Sequence, residues 1–171
     1  MFDVVALGEL LVDFTENSQS QQGNPIFEAN PGGAPCNVLA MLAKLGKRTA
    51  FVGKVGNDFH GAMLKNVAEQ AGIDLRGLAV DPRIPTTLAF VHTAPDGDRD
   101  FSFYRNPGAD MMLTPEEVPE EMFEGTRLFH FGTISMTDEP VRSATMRALE
   151  LAKKHGCLIS FDPNLRPPLW K

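Results

Sequence analysis

The chain has 171 residues, 43% of them hydrophobic and 22% charged, and its formal net charge is -6. This length suits one domain with a real core, and the acidic charge without a Lys/Arg cluster argues against a nucleic-acid or anionic-membrane partner. No run approaches the roughly 18 apolar residues of a membrane span, and the N-terminus lacks the basic region of a signal peptide. Two distant cysteines, Cys36 and Cys157, suit a reducing cytosol. We therefore expect a cytoplasmic globular protein.

In the first half of the chain, short apolar runs typical of strands alternate with segments whose apolar residues recur at helical spacing. Apolar residues recur at helical spacing after residue 34, and Gly46 is the expected stop of that helix. Asp58 is the expected N-cap of the next helix, which Gly72 ends. In chain order the patterns predict a buried strand at 3–10, a loop at 17–24, a short strand at 25–29, a helix at 34–45, a buried strand at 49–56 and a helix at 58–72.

The second half continues the alternation after a hairpin. Two strand-like runs flank the sequence PDGD at 95–98, a hairpin signal because Gly97 can take a positive φ. The sequence TPEE has the form of a capping box, with Thr114 at the N-cap and Glu117 three residues later. The remaining predicted elements are a strand at 76–81, the two hairpin strands within 86–105, a strand at 127–132, a long helix at 138–156 and a last buried strand at 157–162.

This order of elements predicts an α/β protein whose mostly parallel sheet is covered by helices on both faces. The hairpin departs from the pattern and could belong to a sheet edge or to a small lid. The sequence stops a few residues after its last predicted strand, with no helix to cover that side of the sheet. We expect apolar surface or an unpaired edge to be exposed there, as if the fold were interrupted.

Common catalytic motifs are absent from the sequence. The stretch KLGKRT resembles a phosphate-binding Walker A loop, but Met41 and Arg48 stand where that motif needs Gly and Ser/Thr. There is no dinucleotide-binding G-x-G-x-x-G, no G-x-S-x-G and no H-E-x-x-H. The four histidines lack metal-ligand spacing, and we interpret His130, within a strand, as a hydrogen-bonded core residue. The sequence thus predicts no metal site and offers no catalytic residue of these classes.

Polar residues near the ends of two predicted strands form one candidate binding site. Gly32 and Gly33 precede a helix, where glycines let a ligand approach the backbone closely. Asn37 lies one turn into that helix, and Asp13 lies beyond the first strand, at the edge where α/β sheets bind ligands. A carboxylate there can accept hydrogen bonds from two vicinal sugar hydroxyls. A tight turn without ligand, and a solvated Asp, are the alternatives.

A second polar cluster follows the last strand. Asp162, Asn164 and Arg166 lie in the sequence FDPNLRPPLW, where prolines fix the path of the chain. The planar guanidinium of Arg166 suits bidentate contacts to a phosphate. A salt-bridged loop is the alternative interpretation.

Together these motifs resemble a known family. The sequence GGAPCN at 32–37, followed by Gly46 and Gly56, resembles the N-terminal signature of the ribokinase-like (phosphofructokinase B-type) sugar kinases. The sequences FYRNPGADMML and SFDPNLRPPLW narrow the resemblance to the fructokinase branch. The resemblance covers all 171 residues, and Leu39, where the signature prefers a small residue, is a departure that implies local repacking of the helix.

The resemblance implies an ATP-dependent kinase that phosphorylates a primary hydroxyl of a sugar, with ATP and Mg²⁺ as cofactors. It implies a doubly wound sheet and a small β lid, with strands within 12–30 and 86–105, through which full-length members often form homodimers. It also assigns roles by position. The expected sugar contacts are Asp13, Gly32, Gly33, Asn37, Phe103 and Arg105. The expected neighbours of the transferred phosphoryl group are Asn164 and Arg166.

The resemblance also implies that the chain is the N-terminal part of one kinase domain, 1–171, without the ATP-binding half. Family members are about twice as long, and their second signature, G-A-G-D, supplies the catalytic base and the anion hole. The sequence PGAD at 107–110 lacks the second glycine before the acid, so we reject Asp110 as the base. We expect the isolated chain to be inactive, because phosphoryl transfer without base or anion hole loses several powers of ten in rate.

Two alternatives stay open at this point. A 2-keto-3-deoxygluconate kinase also carries D-x-N-x-R, but its acidic substrate requires additional cationic or tyrosine contacts, whereas Phe103 favours a neutral ketose. A non-catalytic sugar-binding protein would explain the missing half, although half of a doubly wound sheet is expected to be marginally stable.

Overall fold

The computed structural model describes residues 1–93, 99–166 and 169–170. The described residues form two sheets and three α-helices, joined in part by short 3₁₀ turns. The strands are β1 (Val4–Leu7), β2 (Leu11–Gln19), β3 (Pro25–Gly32), β4 (Thr49–Gly56), β5 (Ile73–Asp81), β6 (Leu88–Thr93), β7 (Arg99–Tyr104), β8 (Leu128–Gly132) and β9 (Leu158–Asp162). The helices are α1 (Ala34–Lys44), α2 (Phe59–Gln70) and α3 (Val141–Lys154).

The main sheet is parallel and has the strand order β5-β4-β1-β8-β9. The short strand β1 lies at its centre, with Ala6 opposite Phe51 on one side and His130 on the other. Because all strands run the same way, the segments that follow β1, β8 and β9 leave the sheet at one edge. The predicted α/β fold is confirmed.

Helices cover the main sheet on both faces. Leu39 of α1 and Leu64 of α2 pack with Phe51 in one buried cluster. On the opposite face, Ala148 of α3 packs with Phe129 in a second cluster, which the 3₁₀ segments around 109–122 complete. Each face of the parallel sheet therefore buries its own apolar core, as the unbroken apolar strands predict.

The second sheet has the order β3-β2-β6-β7 and contains one parallel pair, β2 with β6. It occupies the segments in which we predict lid strands. The predicted hairpin turn at 95–98 falls within residues 94–98, outside the described residues, but β6 and β7 pair antiparallel as expected. On one face of this sheet the ring of Phe90 stacks on that of Phe14. Phe27 and Tyr104 each make an edge contact with the Phe90 ring.

The predicted strand at 3–10 is wrong in its extent. β1 ends at Leu7, and the chain then crosses to the second sheet and begins β2 at Leu11. The polar stretch predicted as a loop from residue 17 is partly strand, since β2 continues to Gln19. The first error arises because one apolar run contributes to two strands in different sheets, which periodicity does not reveal. The second arises because pairing with β3 extends β2 beyond the apolar run that identifies it in sequence.

The last strand was predicted to be buried, and that prediction is also wrong. Among the described strands β9 pairs with β8 and with no other, so it lies at the edge of the main sheet. Its apolar side chains Leu158, Ile159 and Phe161 are 70%, 40% and 50% exposed. The exposed apolar edge agrees with the expectation of an uncovered side of the sheet.

No helix in the described part of the chain is both long enough and apolar enough to cross a bilayer.

Asp58 is confirmed as the N-cap of α2, and it also ties this helix to the segment before β6. One carboxylate oxygen accepts hydrogen bonds from the Gly61 amide at 2.8 Å and from Thr86 Oγ1 at 2.8 Å. The other oxygen accepts from the Thr86 amide at 2.7 Å. These hydrogen bonds hold the pKa of Asp58 below its usual value although partial burial opposes them.

We expect Asp58→Ala to lower the free energy of unfolding by about 2–3 kcal/mol, because it removes the helix cap and leaves the buried Thr86 without its carboxylate partner. Chemical denaturation measures the change. The control is Glu69→Ala on the same helix, whose half-exposed carboxylate makes only a 3.9 Å ion pair with Lys65 and which is expected to cost less than about 0.5 kcal/mol. Equal stability of both variants would contradict the assigned role.

Candidate active site

A cavity of about 290 Å³ lies at the carboxyl edge of the main sheet, below the second sheet. Its walls come from the β1–β2 connection, the start of α1, strand β7 and the segment after β9. It brings together most of the residues that the sequence predicts for the site: Asp13, Gly33, Asn37, Phe103, Asn164 and Arg166. Two predicted residues, Gly32 and Arg105, are not among its lining residues.

Asp13 lies on β2 and presents a half-buried carboxylate to the cavity. Burial raises its pKa above the usual value for an aspartate, while the nearby positive charge of Arg166 acts in the opposite direction. Gly32 on β3 makes room for this side chain, since a Cβ at Gly32 would lie 2.9 Å from Asp13 Cγ. Gly32 thus acts on the site through Asp13, because any side chain there would displace the carboxylate.

Gly33 is the N-cap of α1 and has φ 115° and ψ 115°, a conformation that residues with a Cβ rarely adopt. A Cβ at Gly33 would also lie 3.1 Å from the carbonyl carbon of Glu9. The amide of Asn37 donates to the Gly33 carbonyl at 3.0 Å, so the exposed Asn37 side chain is set one turn further along, at the cavity wall. The glycine therefore serves a strained turn whose helix carries Asn37 to the site.

Glu9 lines the same cavity, and our sequence reasoning did not identify it. Its side chain is buried, and Oε1 accepts a hydrogen bond from the Ala34 amide at 2.9 Å. Burial raises the pKa of Glu9 to about 7, with a further increase from the charge of Asp110 and an opposing effect of the hydrogen bond from Ala34. The available signal was an acidic residue directly after the apolar run of β1, on the same sheet edge as Asp13.

Arg105, which we expect to contact the sugar from the hairpin, is not among the residues that line this cavity. Its Nε forms a buried ion pair with Asp110 Oδ2 at 2.8 Å. Its Nη1 donates to Thr137 Oγ1 at 3.1 Å and its Nη2 to the carbonyl of Ile134 at 3.3 Å. These partners hold the guanidinium in the protein interior, because a buried Arg requires its donors to be satisfied locally.

Asp110 is equally engaged. One of its carboxylate oxygens pairs with Arg105, and the other accepts a short hydrogen bond from the hydroxyl of Thr87. The side chain is buried, and Asp110 does not line the cavity. Both carboxylate oxygens of Asp110 are thus engaged by protein groups, and its rejection as a catalytic base stays a prediction.

The segment after β9 is fixed by local hydrogen bonds. Asp162 accepts from the Asn164 amide at 3.0 Å, and the hydroxyl of Thr133 donates to the Asn164 carbonyl at 3.0 Å. Two residues on, the Arg166 guanidinium lies 5.7 Å from the centre of the Phe101 ring, a cation–π contact with the second sheet. Phe101 was missed from the sequence because its role depends on cross-strand geometry. The cavity thus contains a positive charge that acts on the carboxylate of Asp13.

An adjoining cavity of about 400 Å³ lies beyond Phe101 and Phe103, whose rings line both spaces. Arg105, Asn106 and Asp138 contribute to its wall. The two rings stack on one another with centroids 5.9 Å apart and separate the two cavities.

No group of three or more His, Cys, Asp or Glu side chains among the described residues is arranged to hold a metal ion. His130 is a core residue, as interpreted from the sequence, with Nδ1 3.0 Å from Ser160 Oγ. Burial lowers the pKa of His130, and the charge of Asp162 opposes this.

With this geometry established, comparison with known proteins identifies the family. The family model described as pfkB family carbohydrate kinase matches residues 1–171. The chain belongs to the pfkB family of carbohydrate kinases. The resemblance inferred from GGAPCN and the later motifs is thereby confirmed.

Fructokinases are prominent among the similar pfkB proteins. Probable fructokinase-3 of Arabidopsis thaliana is 48% identical over 169 residues, which are 98% of this chain and 49% of that protein. Fructokinase of Solanum tuberosum is 46% identical over 169 residues, 98% of this chain and 53% of that protein. The chain thus spans about half the length of the curated relatives that it matches.

Solved structures confirm the ribokinase-like fold. The crystal structure of fructokinase from Xylella fastidiosa matches with a TM-score of 0.93 and 34% identity, covering 100% of this chain and 53% of that one. The structure of fructokinase with bound ATP from the same organism matches with a TM-score of 0.90 and 35% identity, covering 100% of this chain and 52% of that one.

We expect Glu9→Gln to stabilise this pfkB chain at alkaline pH and to leave its stability unchanged in acid. A carboxyl whose pKa rises from 4.5 to about 7 on folding binds more protons in the folded state between these values. The wild-type chain therefore loses stability relative to the variant as the pH rises from 4.5 to 7, by on the order of 3 kcal/mol in total.

Urea denaturation of both proteins between pH 4.5 and 8.5 measures the difference. Gln retains an oxygen that can accept from Ala34, so the substitution removes the titrating charge with little change in shape. A stability difference that is independent of pH would show that the Glu9 carboxyl does not titrate as described.

Proposed function

We propose that this chain forms the sugar half-site of an ATP-dependent sugar kinase whose substrate is fructose. The observation that carries the proposal is that one cavity is lined by Asp13, Asn37 and Arg166 together. The carboxylate and the amide suit hydroxyls, and the guanidinium suits a phosphoryl group. The identity of 48% and 46% to proteins named as fructokinases supports fructose as the sugar.

In this proposal each residue of the sugar wall has a distinct task. The ionised carboxylate of Asp13 accepts hydrogen bonds from two neighbouring hydroxyls, and Asn37 can both donate and accept. Gly33 lets the sugar approach the backbone, and Phe103 covers its less polar face. Gly32 keeps the carboxylate in place.

Arg105 acts only indirectly in the proposed function. Through its buried ion pair it fixes Asp110 and the turn that follows β7, the strand that carries Phe103. The residue that was expected to contact the sugar is therefore assigned a supporting role.

On the opposite wall, Arg166 and Asn164 lie near the primary hydroxyl that accepts the phosphoryl group, which bound ATP supplies. The charge of Arg166 neutralises phosphoryl oxygens, and positioning of this kind provides much of the catalysis in phosphoryl transfer. A matched fructokinase structure contains ATP, which supports the choice of phosphoryl donor. The described residues offer no ligand set for Mg²⁺, and we assign none of them to it.

The proton of the sugar hydroxyl requires a base, and the described residues do not include the family's G-A-G-D aspartate. Asp110, the acid of the similar sequence PGAD, is buried with both carboxylate oxygens engaged. We therefore assign no catalytic base within residues 1–171 and propose that these residues are the N-terminal part of one kinase domain.

An acidic sugar such as 2-keto-3-deoxygluconate is disfavoured by the same geometry. Such a substrate requires cationic or tyrosine contacts for its carboxylate in addition to Arg166. Arg105 is held by Asp110, and Tyr104 packs against Phe90 on the opposite face of the second sheet with 67% of its surface exposed. Neither is available to a ligand in the cavity.

We also propose that the second sheet acts as the lid over the sugar and as the dimer contact of the full-length protein, which we place in the cytoplasm. The apolar side chains Ile26, Phe27 and Tyr104 on this sheet are 44%, 38% and 67% exposed, and an exposed apolar surface of this kind is typical of an interface.

We expect the purified 171-residue chain to bind fructose without phosphorylating it, because the chain carries the sugar wall but no assigned base. Calorimetric titration measures binding, and detection of fructose phosphate after incubation with ATP and Mg²⁺ measures turnover. Formation of fructose phosphate by this chain would contradict the proposal. Absence of saturable fructose binding by this chain would contradict it as well.

We expect Asp13→Ala to weaken fructose binding by about 10- to 100-fold, since it removes hydrogen bonds to a charged acceptor. The control is Glu16→Ala on the same strand, whose carboxylate pairs with His92 outside the cavity. Unchanged affinity of the Asp13 variant would exclude this cavity as the sugar site.

A further inference from the structure

Glu9 provides the cap that Gly33 cannot. Gly33 has no side chain with which to accept the first amides of α1, and the helix has no side-chain hydrogen bond from its own N-cap. The carboxylate of Glu9, reaching from the end of β1, accepts from the Ala34 amide at 2.9 Å. Because the first amides of a helix have no partners within it, this contact from another element fixes where α1 begins.

The main chain of Glu9 presses on the same turn. A Cβ on Gly33 would come within 3.1 Å of the Glu9 carbonyl carbon and 3.3 Å of Leu10 Cα. The backbone and the carboxylate of Glu9 thus hold the 33–34 turn from two directions. Since the Asn37 amide is bonded to the Gly33 carbonyl, the side chain of Asn37 takes its direction from this turn.

We propose that Glu9 is a positioning residue of the cavity, whose carboxylate holds the Gly33–Ala34 turn so that Gly33 and Asn37 face the bound sugar. The proposal rests on the assignment of the cavity as a sugar site. Glu9 is 3% exposed, and a buried carboxylate at this position costs stability, which an apolar or amide side chain would avoid. The ionised form of this carboxylate strengthens the hydrogen bond that it accepts from the Ala34 amide.

Several charged or titratable groups face Glu9 from the surrounding elements. The charge of Asp110 raises its pKa and that of Arg105 lowers it, and both effects are smaller than that of burial. Burial, with help from Glu9, raises the pKa of the Cys36 thiol on α1 to about 11, so this thiol stays protonated near neutral pH. Asp13 and Arg166 lie across the cavity.

The hydrogen bond to Ala34 should follow the protonation of Glu9. An ionised carboxylate is a stronger acceptor than a carboxylic acid, and with a pKa of about 7 both forms are present near neutrality. Below pH 7 the turn is held less firmly. We expect fructose affinity to fall about threefold to tenfold between pH 8 and pH 5.5, the ratio that corresponds to weakening one such hydrogen bond.

The test combines a local and a functional measurement on the 171-residue chain. The amide shift of Ala34 in ¹⁵N-labelled protein is followed by NMR from pH 5.5 to 8.5, and fructose affinity is measured over the same range. In the wild-type chain we expect both to titrate together near pH 7. In Glu9→Gln we expect the amide shift to be flat and the remaining pH dependence of affinity to be less than twofold. Glu28→Gln, an exposed carboxylate on β3, is the control and should behave as wild type.

The two measurements separate Glu9 from Asp13 and from the proposed function. Asp13 remains in the Glu9→Gln variant, so a titration of affinity that persists there would assign the effect to Asp13 and overturn the role of Glu9. An Ala34 amide that does not titrate in the wild-type chain would overturn it as well. If no variant binds fructose at any pH, the sugar assignment fails, while titration of the Ala34 amide still supports Glu9 as the anchor of this turn.

Discussion

The site depends on one structural constraint: β1 lies at the centre of the parallel sheet, and the chain passes from its carboxyl end directly into the second sheet. β1 ends at Leu7 and β2 begins at Leu11, so only a few residues join the two layers. Within this short connection Glu9 contacts the start of α1, and Asp13 follows on β2. The cavity between the sheets is therefore a consequence of where the chain leaves the first one.

The polar groups around this connection fall into two classes: those that line the cavity and those that are paired with other protein groups in the interior. Arg105 and Asp110 form a buried pair with further hydrogen bonds, and such pairs fix a geometry more than they add stability. Asp13 and Arg166 instead line the cavity, where burial raises the pKa of Asp13 and the charge of Arg166 opposes this. Glu9 stands between the two groups, since it is buried like the first and lines the cavity like the second.

The strands of the main sheet differ in how deeply they are buried. β1 and β4 are buried on both faces, whereas β9 leaves Leu158 and Phe161 largely exposed. The pfkB relatives are about twice as long as this chain, and the segment after β9 lines the cavity with Asn164 and Arg166. In our proposal the two walls of the sugar site are present, and the machinery for phosphoryl transfer is not.

The sequence by itself determined the fold class, the order of the elements and most of the cavity lining. Unbroken apolar strands alternating with capped helices leave few arrangements, and polar residues after parallel strands must meet at one sheet edge. Asp13, Gly33, Asn37, Asn164 and Arg166 were predicted in this way or from the family motifs, and the structure brings them together.

Only the tertiary structure decided which charged side chains are free to act. From the sequence, Arg105 is expected to contact the sugar, whereas Glu9 is not identified as a site residue. In the fold, Arg105 is held by Asp110 while Glu9 reaches the cavity and Ala34, 25 residues further along the chain. Ala34 is distant from Glu9 in sequence, and so are Thr137 and Ile134 from Arg105, although Asp110 is only five residues away. Neither periodicity nor local motifs report on such contacts. The physical reason is that the pairing of buried charges is set by contacts between elements, and these exist only once the two sheets have packed.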